Sequence, residues 1–312
     1  METEFLEIAD GKYIVIAPAS QSLTVYTRII EERDRPREEI DEAELSNIVS
    51  QAIWKVFDRE RTPASFKLGV PEIDVLLIDA RIVSARVDGS KVLNPIGFPA
   101  KRIEVGVAET LASRDTFQKI RQGLPKNGEI IFVSEPTSVK SHLLREESRC
   151  KNFVFVNVLR DKTHVCAAKE NGDIRPAGDF EWGLDNLLQS FHDDLTVPKD
   201  SVAPVLNRYL QNDASPDFLK KFRFVFNKHF SVFEKGVSAA IHNAKMVKPI
   251  AFVMCDQIAA SAKPFTFGTG AKFAFLPWEK PGDILKREFV QFSSNKNFNR
   301  FAKQRIKWLN IN

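Results

Sequence analysis

The residue types that most often carry enzyme chemistry are scattered along this sequence. Its five histidines stand at positions 142, 164, 192, 229 and 242, and none belongs to a His-Glu-x-x-His pattern, so no zinc-hydrolase site is predicted. The run His192-Asp193-Asp194 is more typical of an exposed polar segment than of a metal site. No nucleophile elbow of the Gly-x-Ser-x-Gly type occurs. We therefore expect neither catalytic residues nor a metal centre.

One segment has the composition of a phosphate-binding loop, Gly268-Thr269-Gly270-Ala271-Lys272. It lacks the spacing of a Walker loop, and the residues that follow it (FAFLP) favour an extended chain. A phosphate loop would instead lead into a helix, whose first amides bind the anion. We therefore interpret this segment as a hairpin turn.

Composition is that of an ordinary globular protein. With 312 residues, 43% hydrophobic and 28% charged, the chain can form two modest domains or one elaborate domain. A net charge of +4 is too small to indicate nucleic acid binding unless it is concentrated in one segment. The cysteines Cys150, Cys166 and Cys255 form no Cys-x-x-Cys pair, which favours a reducing cytoplasm over a disulfide framework. No signal peptide and no run of 18 apolar residues is visible, so we expect a cytoplasmic protein.

The first hundred residues predict two strands, a helix and a strand pair. Extended segments are expected within 12–20 and over 22–30, followed by a charged turn at 31–39. A helix then starts near Ile40, with a loop expected over 59–69. Its apolar face is formed by residues at three- and four-residue spacing: Leu45, Ile48, Val49, Ala52, Ile53 and Val56.

A strand pair with a distinctive connection follows, within 73–111. Asp88-Gly89 is the expected reversal, because glycine readily takes a positive φ. Asn94-Pro95-Ile96-Gly97-Phe98 is expected to be a rigid bend, since proline fixes its own φ and extends the residue before it. From the residues alone, the prediction is a twisted hairpin with an ordered loop.

The pattern Val-Asp-Gly, a short gap and Asn-Pro-Ile-Gly-Phe resembles the subdomain that distinguishes the bacterial cell-division protein FtsA, and its relative PilM, from other actin-like proteins. The preceding order of strand, strand and acidic-start helix matches as well. The resemblance implies that this is an interaction subdomain, with these residues in its turn and bend: Asp88, Gly89, Asn94, Pro95, Gly97 and Phe98.

The resemblance implies an α/β protein with an incomplete actin/Hsp70-like ATPase fold, made of an α+β subdomain and an actin-like lobe of ribonuclease H type. The extra subdomain would cover 12–115 and a remnant of the first actin-like lobe 116–150. The second lobe would cover 151–282, a linker 283–295 and an amphipathic membrane-targeting helix 296–312. The family's first phosphate loop would precede residue 12, so we expect the fold to be incomplete at its start.

The second module reads as three strands and then helices. Strands are predicted at 153–158, 163–168 and 174–180, a helix from Gly183, and a buried strand at 249–255 with a helical start after Asp256-Gln257. Between them, 218–244 predicts a long helix with an aromatic stripe, which we interpret as core packing rather than a partner groove. Earlier in the chain, 116–123 predicts a helix, 129–133 a strand, and Glu135-Pro136 the start of a helix ending near Glu147.

In the family, the first turn of this module carries Asp-x-Gly-x-x-x-Thr, which binds the phosphates and Mg²⁺ of ATP. The matching residues here are Asn157, Leu159 and Thr163, so the carboxylate and the glycine are both absent. Lys162 could partly neutralise a phosphate, although an exposed solvated lysine is the simpler interpretation. The family's later Gly-Gly pair is replaced by Cys255 and Asp256. These five positions, Leu159 apart, are the candidate cofactor residues, and we expect them to hold no ATP or only weakly.

The C-terminal segment 295–312 concentrates positive charge. Placed on a helix, its apolar residues Phe298, Phe301, Ala302, Ile306, Trp308 and Leu309 fall within an arc of roughly 160°. Arg300, Lys303 and Lys307 lie opposite, while Arg305 falls inside the arc and can extend its charge to the headgroups. FtsA also ends in such a helix, so we predict binding to an anionic membrane. A helix docked on its own protein and a nucleic-acid-binding tail are the alternatives.

The resemblance implies an FtsA-like cell-division scaffold on the cytoplasmic face of the membrane at the division site. It would polymerise with itself and tether an FtsZ-like tubulin homologue, without nucleic acid and with weak or no ATP turnover. Two alternatives remain open. One is a functional actin-like ATPase, and the other is a PilM-like component of a type IV pilus assembly machine.

Overall fold

The computed structural model describes residues 3–148, 150–258, 260–261, 265–266 and 272–294. These residues form two compact units. The described part of the first unit is 3–139, 171–174 and 281–294, and the rest belongs to the second. Helices and strands occur throughout both, which confirms the expected mixed α/β class.

The elements of the first unit are, in chain order, β1 (Glu4–Ala9), β2 (Lys12–Ile16), β3 (Ser22–Glu32), α1 (Glu42–Leu68), β4 (Val75–Val87), β5 (Ser90–Val92), β6 (Arg102–Ser113), α2 (Arg114–Gly123) and β7 (Glu129–Ser134). Helix α3 (Pro136–Glu147) begins in this unit and ends in the second. The predicted strands at 22–30 and 129–133, and the helix at 116–123, are confirmed.

Strands β3, β6, β4 and β5 form an antiparallel sheet in that order. Alternate residues of the three long strands point to one face, where α1 packs against them, as the period of two in a strand requires. This core contains the predicted apolar face of α1 together with Leu23, Val25, Leu77, Ile82, Val105, Val107 and Leu111. The strand pair expected around Asp88-Gly89 is thus the centre of this sheet.

Helix α1 is longer than the sequence indicated. Asp41 caps its start by accepting a hydrogen bond from the Glu44 amide (2.7 Å), and Gly69 ends it with a left-handed φ of 65°. The loop expected over 59–69 is wrong, because the helix continues through Pro63 to Leu68. Burial of Ala64 and Glu60 against the sheet holds this last part, and packing outweighs the usual cost of a proline within a helix.

A smaller sheet has the order β1-β2-β7, with β1 antiparallel and β7 parallel to β2. The last described element, α7 (Pro281–Ser294), belongs to the same unit. Its residues Ile284 and Leu285 are fully buried. The linker expected at 283–295 is therefore wrong as far as Ser294, because the apolar residues of this segment recur at helical spacing and are buried.

The second unit contains β8 (Phe153–Val158), β9 (Thr163–Ala168), β10 (Ile174–Phe180), α4 (Leu184–Leu195), α5 (Lys199–Leu210), α6 (Pro216–Asn243), β11 (Ile250–Cys255), β12 (Phe265–Thr266) and β13 (Lys272–Leu276). Its strand order is β12-β13-β11-β8-β9-β10. Strands β8 and β9 are antiparallel, whereas β11 runs parallel to both β8 and β13. Three antiparallel strands followed by helices and parallel strands on the other side of the first one is the expected ribonuclease H-type lobe.

The aromatic stripe of α6 forms the core of this lobe, as predicted. Phe222, Phe226, Phe230 and Phe233 are each 2% exposed or less, and they contact Tyr209, Phe191 and Trp182 with ring centroids 4.9 to 6.2 Å apart. The hairpin turn expected at 268–272 lies outside the described residues, apart from Lys272 at the start of β13. Asp256 and Gln257 form a turn, and the helical start expected after them is wrong, because Gln257 takes a left-handed φ of 65°.

Candidate functional site

The carboxyl ends of β8 and β11 bring three of the five predicted cofactor residues to one end of the sheet. The parallel register pairs Asn157 with Met254 and Val158 with Cys255, and Val158 also faces Thr163 on β9. Lys162 lies in the turn before Thr163, and Asp256 directly follows Cys255. The sequence therefore located the right end of the lobe for a ligand, since sites in open α/β sheets lie at the carboxyl ends of parallel strands.

The turn between β8 and β9 is closed onto the start of α4. Its backbone carbonyls accept hydrogen bonds from the first helical amides: Leu184 donates to Leu159 (2.8 Å) and Asp185 donates to Arg160 (2.9 Å). The Gly183 amide donates to the side-chain oxygen of Asn186 (2.9 Å). A helix that binds phosphate offers these amides to the anion. Here the protein itself uses three of them.

Gly183 is required by this closure. A side-chain carbon at this position would lie 2.6 Å from the carbonyl oxygen of Leu159 and closer still to that of Arg160. The backbone at Gly183 is extended, so close approach and not an unusual φ explains the glycine. Thr163 adds a further bond, because its hydroxyl donates to the Trp182 carbonyl (2.6 Å). Turn, strand start and helix start thus form one connected hydrogen-bonded unit.

The remaining side chains at this end carry little suitable chemistry. Asn157 is 8% exposed and brings an uncharged amide where the family has a carboxylate. Burial raises the pKa of the Cys255 thiol well above its ordinary value, and the charge of Asp256 raises it further. The thiol therefore stays protonated, and a protonated thiol is neither a nucleophile nor a metal ligand.

Glu135 is a carboxylate that helix capping consumes. It is 4% exposed and starts the Glu-Pro step before α3. Its two oxygens accept the amides of Thr137 (2.7 Å) and Ser138 (2.8 Å), and its own amide donates to the hydroxyl of Thr24 (3.0 Å). An N-terminal carboxylate of this kind stabilises a helix through both hydrogen bonds and the macrodipole. The geometry therefore gives Glu135 a structural role.

The turn and bend of the predicted interaction subdomain are ordered as expected. Asp88 takes a φ of 47° and accepts the amides of Lys101 (3.1 Å) and Arg102 (2.8 Å), while Gly89 takes a φ of 87°. These contacts close the connection between β5 and β6. The sequence signal that found them was the aspartate-glycine pair.

The bend itself is tied to the start of α1. Asn94 accepts the amide of Ile96 (3.2 Å), and Pro95 is buried. Gly97 has a φ of 86° and donates to the Ile40 carbonyl (2.9 Å), while the Ile40 amide donates to the Phe98 carbonyl (3.1 Å). The side chain of Phe98 is left 47% exposed. An ordered backbone that presents an exposed aromatic ring can serve as a contact surface.

Sequence reasoning missed a buried charge cluster around Arg81 in the first unit. Arg81 is 2% exposed and contacts Asp79 (2.7 Å), Glu288 of α7 (2.8 Å) and the hydroxyl of Ser134 (3.0 Å). Its guanidinium carbon lies 4.3 Å from the centre of the Phe132 ring. Buried charges are tolerated only when they are paired in this way. The cluster fixes α7 to the sheet, and an alternating strand that contains Asp79 and Arg81 was its only local signal.

Tyr26 completes the cluster by donating its hydroxyl to Glu288. Burial raises the pKa of Tyr26, and the negative charge of Glu288 raises it further, so the hydroxyl remains a donor. The cluster therefore acts as a structural anchor: its groups are held by one another.

A second buried carboxyl, Glu109, was also missed. It is fully buried on β6, and neither of its oxygens has a hydrogen-bond partner among the described residues. Burial raises its pKa well above the ordinary value, the nearby charge of Glu60 raises it further, and Arg59 opposes this. Glu109 is therefore protonated in the folded protein around neutral pH.

The predicted membrane-binding residues (Phe298, Arg300, Phe301, Lys303, Arg305, Ile306, Lys307, Trp308 and Leu309) lie outside the described residues. Within the described ranges, no helix is long and apolar enough to cross a membrane. The same ranges contain no group of three or more His, Cys, Asp or Glu residues placed to hold a metal ion.

No family model matches the sequence, and no curated protein matches it. Solved structures give weak matches. The PilM-PilN type IV pilus biogenesis complex matches at 10% identity over 91% of this chain and 77% of the other, with a TM-score of 0.33. The ethanolamine utilization protein EutJ from Carboxydothermus hydrogenoformans matches at 12% identity over 42% of this chain and 44% of the other, with a TM-score of 0.28.

A glycerol dehydratase reactivase matches at 16% identity over 77% of this chain and 49% of the other, with a TM-score of 0.29. The chain thus spans less than half the length of EutJ and of the reactivase. TM-scores of this size assign neither a fold nor a function. The assignment of the second lobe rests instead on its own strand order.

Proposed function

We propose that this protein is an actin-related scaffold of the FtsA and PilM type whose former phosphate site is closed. The observation that carries the proposal is the use of the first α4 amides by the carbonyls of Leu159 and Arg160, with Gly183 between them. A triphosphate could reach these amides only if both bonds broke. The protein would therefore act by binding partners, without turning over ATP.

The finer proposal is that the scaffold polymerises and tethers a tubulin-like division filament to the cytoplasmic face of the membrane. Its support is the ordered turn at Asp88 and bend at Pro95, together with the basic, aromatic composition of 296–312. A segment of that composition can bind an anionic leaflet reversibly, at about 1 kcal/mol per basic residue near the surface.

One observation favours the alternative of a PilM-like component in a pilus assembly machine. An FtsA-type tail would follow a linker, whereas α7 occupies 281–294 and buries Ile284, Leu285 and Glu288. The tail would thus start directly from a packed helix. This departs from the FtsA pattern while leaving the shared subdomain intact.

Vesicle sedimentation tests the membrane part of the proposal. The full chain and a chain ending at Ser294 are compared on vesicles of phosphatidylglycerol with phosphatidylcholine, and on phosphatidylcholine alone. We expect the shorter chain to lose affinity for the anionic vesicles. A matched control keeps the charges of the tail but carries Phe301→Ser and Trp308→Ser. Equal binding by all three would remove the tail from the proposal.

Pull-down with candidate partners separates the two readings. Capture of an FtsZ-like filament by the full chain, lost on Phe98→Ala, would support the division scaffold. Capture of a pilus assembly protein through the same surface would support the alternative instead.

A further inference from the structure

The solvent face of α6 concentrates positive charge that the proposed function does not use. Residues 216–248, which are α6 and the five residues after it, carry seven lysines and arginines but only Asp217 and Glu234 as acids. This single segment has a net charge of +5, whereas the whole chain has +4. The excess charge of the second unit is therefore located on one helix.

Helical geometry places these charges on one side. The buried side of α6 is fixed by its four core phenylalanines, so the opposite side faces solvent. At 100° per residue, that side presents Lys220, Lys221, Lys228 and Lys235, with Arg223 at its margin, and all five are exposed. Over 28 residues the helix is about 42 Å long. The result is a long basic stripe on a rigid element.

Two large apolar side chains stand within this stripe. Phe224 is 76% exposed and Val232 is 55% exposed, and Val247 just beyond the helix is 78% exposed. Leaving three such side chains in water on one helix and its continuation has a cost if no partner covers them.

One carboxylate from a neighbouring helix is already paired with this stripe. Asp194, at the end of α4, contacts Lys228 (2.7 Å) and His229 (2.6 Å), and both lower its pKa, Lys228 more than His229. Among the described residues, no ion pair is formed by Lys220, Lys221, Arg223 or Lys235. These four cations are the ones that an external anion would meet.

The shape of the stripe decides which anionic partner it fits. Peptides and helices bind in grooves, where they bury apolar anchors on several sides. The stripe is instead the convex outer side of a single helix, whose other side is committed to the core. A planar anionic surface needs only cations along a line and a few apolar side chains that reach the acyl boundary.

We propose that the basic stripe of α6 binds an anionic lipid surface, as a contact independent of the C-terminal tail. Lys220, Lys221, Arg223 and Lys235 would face the headgroups, and Phe224 would enter the interface between headgroups and acyl chains. The proposal goes beyond the scaffold function and stands even if the tail binds no lipid.

Three full-chain variants, each lacking four positive charges, test this proposal. The first replaces Lys220, Lys221, Arg223 and Lys235 with Gln, and the second replaces the tail residues Arg300, Lys303, Arg305 and Lys307 with Gln. The third is a control that replaces the exposed lysines Lys12, Lys126, Lys151 and Lys199 with Gln. Vesicle affinity is measured on phosphatidylglycerol with phosphatidylcholine at two salt concentrations, and circular dichroism verifies that each variant folds.

We expect the α6 variant to lose about 100-fold in affinity for the anionic vesicles, and the control variant far less. Phe224→Ser alone should lose about 10-fold without changing the salt dependence. Equal affinities of the α6 and control variants would overturn the proposal. So would α6-dependent binding to polyglutamate or to duplex DNA in the absence of α6-dependent binding to vesicles. The tail variant reports separately on the proposed function.

Discussion

Gly183→Ala tests the closure of the β8–β9 turn on α4 most sharply. The backbone at Gly183 has a φ of −142° and a ψ of −168°, which alanine adopts freely, so the effect of the change is steric. The added carbon would lie 2.6 Å from the Leu159 oxygen and nearer to Arg160, well inside van der Waals contact. The turn must therefore move away from the helix.

The cost can be worked from the bonds that this movement breaks. Two hydrogen bonds of 2.8 and 2.9 Å join the turn to Leu184 and Asp185, and each contributes about 1 kcal/mol net. Overpacking adds about 1 to 3 kcal/mol, and the lower unfolded-state entropy of alanine offsets about 0.5 kcal/mol. We expect the second unit to lose about 3 kcal/mol in its free energy of unfolding.

Urea unfolding followed by tryptophan fluorescence measures this loss. The chain has four tryptophans, and replacing Trp54, Trp278 and Trp308 with Phe leaves Trp182, which is 7% exposed beside Gly183. Gly282→Ala is the control, since its added carbon would lie 3.8 Å from Leu6 and it should leave the Trp182 transition unchanged. A loss below about 0.5 kcal/mol for Gly183→Ala would refute the closed turn.

Three further predictions concern the first unit. Arg81→Met leaves Asp79 and Glu288 buried without their cation and should destabilise the unit by about 3 to 5 kcal/mol in urea unfolding, whereas a neutral effect would show that the cluster is not buried. Glu109→Gln should flatten the pH dependence of stability: folding holds the Glu109 proton above the carboxyl's ordinary pKa, so wild-type stability falls by up to about 1.4 kcal/mol per pH unit as pH rises from that value, and an unchanged slope in melts across pH would contradict this. Asp88→Ala removes the acceptor for two backbone amides and should cost about 1 to 2 kcal/mol, with faster hydrogen exchange at 101–102 as the measurement and unaltered exchange as the opposing result.

The sequence predicted what local patterns determine. The three strands of the second unit, the aromatic side of α6, and the turn and bend at Asp88 and Gly97 all follow from residue period or from turn residues, and all are found in the structure. The strand order of the lobe followed from the order of its elements, because three successive hairpin strands constrain where the next strand can pair.

Tertiary contacts explain what the sequence did not predict. Pro63 and the charged residues around it suggested a loop, yet packing of Ala64 keeps α1 helical to Leu68. Helix α5 was not predicted, and Pro204 within it obscures its period. Helix α7 was taken for a linker because its anchor, the contact between Glu288 and Arg81, joins residues far apart in the sequence. The closed turn depends on Gly183 meeting Leu159 and Arg160, which no local pattern reveals.

Thermal unfolding with and without MgATP tests the central claim most directly. A ligand present at 100 times its dissociation constant stabilises the folded protein by about 2.7 kcal/mol, which is a shift of several degrees for a unit of this size. Because carbonyls occupy the first amides of α4, we predict no shift at millimolar MgATP. A saturable, Mg²⁺-dependent rise in the melting temperature would contradict the closed site and restore the reading of a nucleotide-binding protein.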